Sequence, residues 1–590
     1  MKRIFLTVLS LLCVAVLSFA DTVSLSRATA AAREFLAANG TRSTQVGLTM
    51  VWDGTDTATR TSGEPAFYVF NCDGGGFVVI SAEDAARPVL AFSETGSFTT
   101  ESMPDNIRAW FEGYGRQVEY LRSAKVQAPS EAAELWNGIS RSGLCSASTV
   151  NLNTPTWSQE APFNNLCPMV DNQQSYTGCV CTSICEVMHH HRWPAKGQGT
   201  LPSYTYKTDK GRSRTQAGHT LTATYDWDKM PSKFSVKYTS EQATQVARLM
   251  FDVAVMIQSQ FNGMDGKYTF GTAAYDRDVI PAMVSYMDYD SSAVLLFRDQ
   301  YSDARWAEML RSELDAGRPM IYDGDGNSGG HCFVVDGYKS DDYFYINWGW
   351  SGLNNGWFAL SSFVVAGYDF LYGQGCVFGL RKNEGGRSTN QLALYSDNGS
   401  GGLTLASGTV GTSTFQMNVD VIYNFGSFNY EGRLAFVLMD RNDTVKEVIS
   451  GDVKISLEPL YGTRGKVSCT LSEAAAAGLQ LGDKIVLCRI GEDGSLVKVP
   501  LDGSCTGVDE YAVFDIPFID VNADATYEAG GLLPLKIINY NKIPTSFKWY
   551  VDGMYHDDED LILTTGKHVL KCVAAFSDRT ETIVQEITVR

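Results

Sequence analysis

The chain has 590 residues, too many for one hydrophobic core, so several domains are expected. With 44% hydrophobic and 19% charged residues it reads as globular rather than disordered. A formal net charge of −19 excludes the basic surface that phosphate backbones require, so no nucleic-acid partner is expected.

The first predicted element is an export signal at 1–20. Lys2 and Arg3 begin it, an apolar run over 4–17 follows, and Ser18-Phe19-Ala20 offers a small-residue cleavage site. That run is shorter than the roughly 20 apolar residues of a spanning helix, and no later stretch is long enough, so no membrane span is expected. The predicted location is secreted: extracellular, cell-surface or periplasmic. Thirteen cysteines are too sparse for a disulfide scaffold. They leave room for one or two bridges, with Cys469, Cys488, Cys505 and Cys572 as candidates.

Residues 21–145 form a predicted α+β unit. An Ala-rich helical pattern over 26–39 stops at Gly40, and apolar segments at 66–70 and 77–80 flank the turn run Asp73-Gly74-Gly75-Gly76. A second helical pattern covers 105–125. The stretch 128–155 is small, polar and aperiodic, and reads as an exposed connector.

Residues 146–386 mix both periods: 180–188 and 242–261 have helical apolar spacing, while 332–335, 343–348 and 357–360 read as strands. In Gly178-Cys179-Val180 a turn-forming glycine precedes an apolar helix, so Cys179 stands where free N–H groups and the helix dipole favour a thiolate. A thiolate is the reactive form of a nucleophilic cysteine. The chain has only seven histidines from which to choose a base. His331 follows Gly329 and Gly330 at the start of an apolar strand, a place open to a cleft with substrate backbone beside Gly330. A strand–turn–strand path through Ser340 would return Asn347 to His331, where its amide oxygen could hold the second ring nitrogen, with Trp348 shielding that bond. Cysteine, histidine and asparagine in that order follow papain-type logic.

A zinc site competes for the same segment, because Cys181, Cys185 and His189 fall on one helical stripe beside His190 and His191. Ligands eight residues apart on a helix are about 12 Å apart, too far for one ion to use both ends. No metal and no cofactor are therefore expected; the histidine run more simply ends the helix.

After 386 short β-like segments alternate with Gly, Asn and Asp turns, with one helical pattern at 472–479. They predict two all-β modules, at 390–512 and 513–590, the second with immunoglobulin-like strand spacing.

The quoted motifs, with Gly330-His331-Cys332-Phe333-Val334-Val335-Asp336-Gly337 and Asn347-Trp348-Gly349-Trp350, resemble the streptopain family of bacterial cysteine proteases, including the interpains. A further match is Trp157-Ser158-Gln159-Glu160-Ala161-Pro162-Phe163-Asn164, where the family places an oxyanion-hole glutamine; the resemblance assigns that role to Gln159. It implies a papain-like α+β catalytic domain, protein or peptide substrates, and a preference for an apolar side chain two residues before the cut. Gly75-Gly76-Phe77-Val78-Val79-Ile80-Ser81-Ala82-Glu83-Asp84 resembles the family's inhibitory pro-domain, so the chain's own 21–145 unit is the expected inhibitor partner. Cys181 and Cys332 depart from the pattern by adding thiols near the site. The alternative reading is an adhesin-like surface protein whose β-modules bind and whose protease domain is inert.

Overall fold

The structure is a computed structural model that describes residues 21–39, 45–57, 63–101, 103–124, 126, 128–139, 149–170, 172–208, 210–234, 237–261, 271–298, 301–326, 329–339, 343–361, 374–388, 392–396, 401–502, 505–521, 526–556 and 560–590. The expected export signal lies outside these residues, as does Ser340.

The chain divides into two compact units at Arg387 and Ser388. The first opens with α1 (Leu25–Ala38), capped by the Ser24 hydroxyl, which accepts the Arg27 N–H. An antiparallel meander follows, of β1 (Leu48–Trp52), β2 (Phe67–Cys72), β3 (Phe77–Ser81) and β4 (Val89–Ser93), then α2 (Asp105–Ser123) and α3 (Ser130–Gly138). Next come β5 (Thr149–Asn151), the paired β6 (Met169–Val170) and β7 (Gln173–Gln174), α4 (Cys179–His191), and the hairpin β8 (Tyr204–Lys207) with β9 (Ser213–Gln216). The unit continues through α5 (Ser240–Met256), α6 (Val279–Met287), β10 (Val294–Phe297), α7 (Asp303–Asp315), β11 (Met320–Gly326), β12 (Gly329–Lys339), β13 (Tyr343–Asn347), β14 (Gly356–Ala359) and β15 (Gly375–Phe378).

Strand pairing fuses the amino-terminal meander with the later strands. The sheet runs β1-β2-β3-β4-β14-β13-β12-β11-β15-β10, with β5 added against β12. At the junction Trp357 stands opposite Phe92, and Phe358 opposite Ala91. Helices cover both faces, which is why these strands read as unbroken apolar runs. Phe67, Val69, Phe77 and Val79 join the cluster under α2 and α7; their alternates Tyr68, Phe70, Val78 and Ile80 join the one under α1. Gly337 is needed where β5 crosses β12, since a Cβ there would lie 2.6 Å from the Val150 carbonyl oxygen.

The expected connector holds regular structure among its described residues. α3 occupies its first third and docks on the amino-terminal meander: Ala132 and Ile139 are buried, and the Trp136 indole donates to the Ala86 carbonyl at 3.0 Å. A nine-residue helix with a single aromatic anchor is too short to show a period.

In the second unit, strands at Leu392–Tyr395, Leu403–Ser407, Phe415–Asn424 and Gly462–Cys469 form one sheet. A six-stranded sheet centred on Tyr430–Met439 and Lys484–Ile490 shares its core, so Phe415 and Met417 pack with Phe436 and Leu487 as in a sandwich. The remainder builds a five-stranded sheet around Gly566–Ala575 and Thr580–Val589 and closes a separate core on Leu570, Cys572 and Ile587. No bridge joins the candidates Cys469, Cys488 and Cys572 to one another. Cys469, Cys488 and Cys572 are each buried in a different apolar cluster.

Candidate active site

The turn before α4 is built for glycine. Gly178 has φ of 92°, and a Cβ there would lie 2.6 Å from the Thr272 carbonyl oxygen. The helix that follows is buried from Val180 to Met188, so it is fixed on every side, and it packs against β12. Cys179 is its first residue and is half-buried. Its thiol feels the backbone N–H of Cys332, the neighbour of His331, which acts to lower its pKa. Burial raises its pKa; the Cys332 N–H opposes this and the Asp276 carboxylate adds to it. At neutral pH the group is therefore a thiol.

His331 is half-buried on β12, in register with Gly324 of β11. Gly330 precedes it opposite Asp325. Gln159 is buried, and its carbonyl accepts the Thr177 N–H at 3.2 Å, which ties its loop to the turn before Cys179. The same loop is anchored where the Trp157 N–H donates to Glu186 Oε1 on α4 at 3.0 Å and its indole to the Pro231 carbonyl at 2.9 Å.

Asn347 is brought to the seam between β13 and the 154–155 segment. Its Nδ2 donates to the Pro155 carbonyl at 2.9 Å and to Thr154 Oγ1 at 3.2 Å. Its Oδ1 accepts from Asn355 Nδ2 at 2.9 Å and from the Gly349 N–H at 3.4 Å. None of these bonds goes to His331. The expected Asn347–His331 contact is replaced by a network inside the wall of the site. Trp348 is fully buried against Phe333, with ring centroids 4.9 Å apart. The amino-terminal region covers it: Trp110 of α2 packs edge-on at 5.9 Å, and Asn106 Nδ2 donates to its carbonyl at 2.9 Å.

Four of the five rival metal ligands have partners in the fold. His189, His190 and His191 contact Met230 O, Gly317 O and Tyr289 Oη at 2.7, 3.1 and 3.0 Å, and the Cys181 thiol donates to Met250 O. Burial lowers the pKa of His191 to about 4. Two residues that the sequence reading did not place in the site stand at its back. Glu186 is fully buried, and Asp336 accepts from Thr154 N and Oγ1 at 2.8 and 2.6 Å. Burial raises the pKa of Asp336 to about 6. A lone charged residue inside the otherwise uncharged run 180–188 was the available signal.

Residues 157–358 match the Peptidase C10 family, and residues 20–118 match the Spi protease inhibitor family. Among curated relatives, the thiol protease/hemagglutinin PrtT of Porphyromonas gingivalis is 33% identical over 398 residues, covering 66% of this chain and 43% of that protein. Streptopain of Streptococcus pyogenes is 27% identical over 310 residues, covering 50% of this chain and 74% of that one. A solved fragment of Prevotella intermedia prointerpain A is 26% identical, covering 56% of this chain and 98% of that one, with a TM-score of 0.44. The chain thus spans less than half the length of the first of these relatives. Through residues 157–358 the chain belongs to the Peptidase C10 family, with a segment of the Spi protease inhibitor family ahead of it.

Proposed function

We propose that this protein is a secreted cysteine endopeptidase made as a zymogen, with Cys179 as nucleophile and His331 as general base. The observation that carries this reading is the packing of α4, which begins at Cys179, against β12, which carries His331. His331 removes the thiol proton, the thiolate attacks the peptide carbonyl, and the imidazolium returns the proton to the leaving amine. Water then cleaves the acyl-thioester. The Gln159 amide and the Cys179 N–H stabilise the oxyanion. Once the amino-terminal unit is gone, Asn347 orients His331, and Gly330 and Trp348 border the substrate.

The unit at 21–145 is the inhibitor. Its α2 lies over Trp348 through Trp110 and Asn106, which supports a closed precursor. Maturation cuts the chain between about 128 and 155; Arg141, Ser142 and Gly143, the expected exposed target, lie outside the described residues. Cys179→Ala should abolish peptide hydrolysis and accumulate as uncut precursor that a trace of mature enzyme converts, read by amino-terminal sequencing. Cys181→Ser should remain active. Loss of activity on EDTA treatment, with full activity in Cys179→Ala, would overturn the thiol mechanism. Gln159→Ala should slow turnover by about 10²–10³ in a folded protein.

A further inference from the structure

The Gln159 amide can serve an oxyanion only while the 154–159 segment keeps its place beside α4. Two buried carboxyls fasten that segment. Asp336 is the extra residue of a bulge in β12 between Val335 and Gly337, and it grips Thr154 through both the backbone N–H and the hydroxyl. Glu186 lies seven residues beyond Cys179, two turns along the same face of α4, and takes the Trp157 N–H at 3.0 Å. It is wholly buried, and its Oε2 has no hydrogen-bond partner. Trp157 is two residues from Gln159.

We propose that Glu186 is a positioning residue of the hydrolase: its carboxyl pins Trp157, and through it Gln159, to the helix that presents Cys179. This rests on the cysteine-peptidase reading of Cys179 and Gln159. The carboxyl works in its neutral form. Burial pushes its pKa well above the usual range, opposed by the Trp157 N–H, reinforced by the Asp336 carboxyl facing it from β12, and opposed again by the Asn347 amide from β13. No cation among the described residues faces the carboxyl there to offset the loss of water around an ion, whereas a neutral acid still offers its carbonyl oxygen to Trp157. An amide offers the same oxygen. Glutamine should therefore replace glutamate, and an apolar side chain of similar length should not.

The test compares variants of the full chain, incubated until activity is constant and assayed for thiol-dependent peptide hydrolysis. Glu186→Gln should stay within about threefold of wild type. Glu186→Met should lower kcat by about ten- to a hundredfold with little change in KM, because misplacement of an oxyanion donor is felt in the transition state. Alkylation of Cys179 by iodoacetamide forms no oxyanion and should keep its wild-type rate, which a displaced helix or a damaged fold would not allow. In a Gln159→Ala background, Glu186→Met should cost little more, since both act on one donor. Glu186→Asp withdraws the acid from Trp157 and should show the same kcat-only loss, which keeps the test decisive if Glu186→Met does not fold. The proposal is overturned if Glu186→Gln is as damaging as Glu186→Met, if alkylation slows in parallel with kcat, or if the loss adds fully to that of Gln159→Ala. A wild-type chain without thiol-dependent hydrolysis, or an active Cys179→Ala, would instead sink the underlying peptidase reading.

Discussion

The two regions that flank the Peptidase C10 segment are built differently. Ahead of it, β4 pairs with β14 and α2 covers Trp348, so inhibitor-like and catalytic-like sequences share one sheet and one apolar cluster. Beyond Ser388, the β-modules close clusters made of their own residues. A shared core resists separation, because each large apolar side chain returned to water costs about 1.5–3 kcal/mol. A self-contained core can be added or removed without exposing apolar surface elsewhere. The first design suits an inhibitor that must hold until its chain is cut. The second suits an accessory module.

Deletions test that contrast with the largest effect. Freshly purified precursor should hydrolyse a peptide at least about a hundredfold more slowly than the cleaved protein, the deficit expected of a site closed 99% of the time. Removal of 388–590 should change the rate by no more than about twofold. An uncut precursor working at the mature rate would remove the inhibitor reading of the shared sheet.

Single substitutions sharpen it on a smaller scale. Trp110 is half-buried and meets Trp348, Phe333 and Phe358 at 5.9, 5.7 and 6.4 Å. Trp110→Ala should weaken inhibition by the separated 21–145 unit by about 2 kcal/mol, roughly thirtyfold in Ki. Phe436→Ala empties a fully buried position in the second unit. It should destabilise that unit by about 3–5 kcal/mol in denaturant while leaving inhibition unchanged.

What could be read from the sequence follows the range of the signals involved. Gly178 ahead of an apolar period marked the start of α4 to within a residue, and the paired glycines before 332–335 marked β12, because caps and patterns are local. The β4–β14 junction joins Phe92 to Trp357, 265 residues apart, and no local pattern reports such a pairing. α3 was too short to show a period. Asn347 was expected to hold His331; it stands opposite Val334 of β12, and its bonds go to Thr154, Pro155, Gly349 and Asn355. A donor inventory cannot choose among partners that only folding assembles. Glu186 went unread for a related reason: a buried carboxyl acquires meaning from the Trp157 N–H it meets, 29 residues earlier in sequence.

The smallest predicted effect is a difference in how the two units respond to pH. In the first unit Glu186 and Asp336 have raised pKa values, so their ionisation works against folding. For Asp336 that stability is present below the unfolded value near 4 and is lost as pH rises to about 6. In the last β-module, His568 Nδ1 faces Asp552 Oδ2 at 2.7 Å and Nε2 faces the Thr564 carbonyl at 2.7 Å. Two acceptors need two N–H groups, which only the imidazolium has. Its pKa is accordingly raised, first by the Asp552 carboxylate and next by the Thr564 carbonyl. The sign is that of a cation gaining partners: stability is complete below about pH 6.5 and is lost as pH rises through the folded value. Asp552 is half exposed, so solvent screening should hold the effect below about 1 kcal/mol, a few degrees in the melting temperature of the module. Calorimetry of the full chain between pH 6 and 9 should show the transition of the second unit falling slightly, and that of the first falling further for as long as Glu186 is protonated only in the folded state. His568→Gln should flatten the first trend and leave the other untouched. A second-unit transition that falls equally in His568→Gln would place the titrating group elsewhere in that unit.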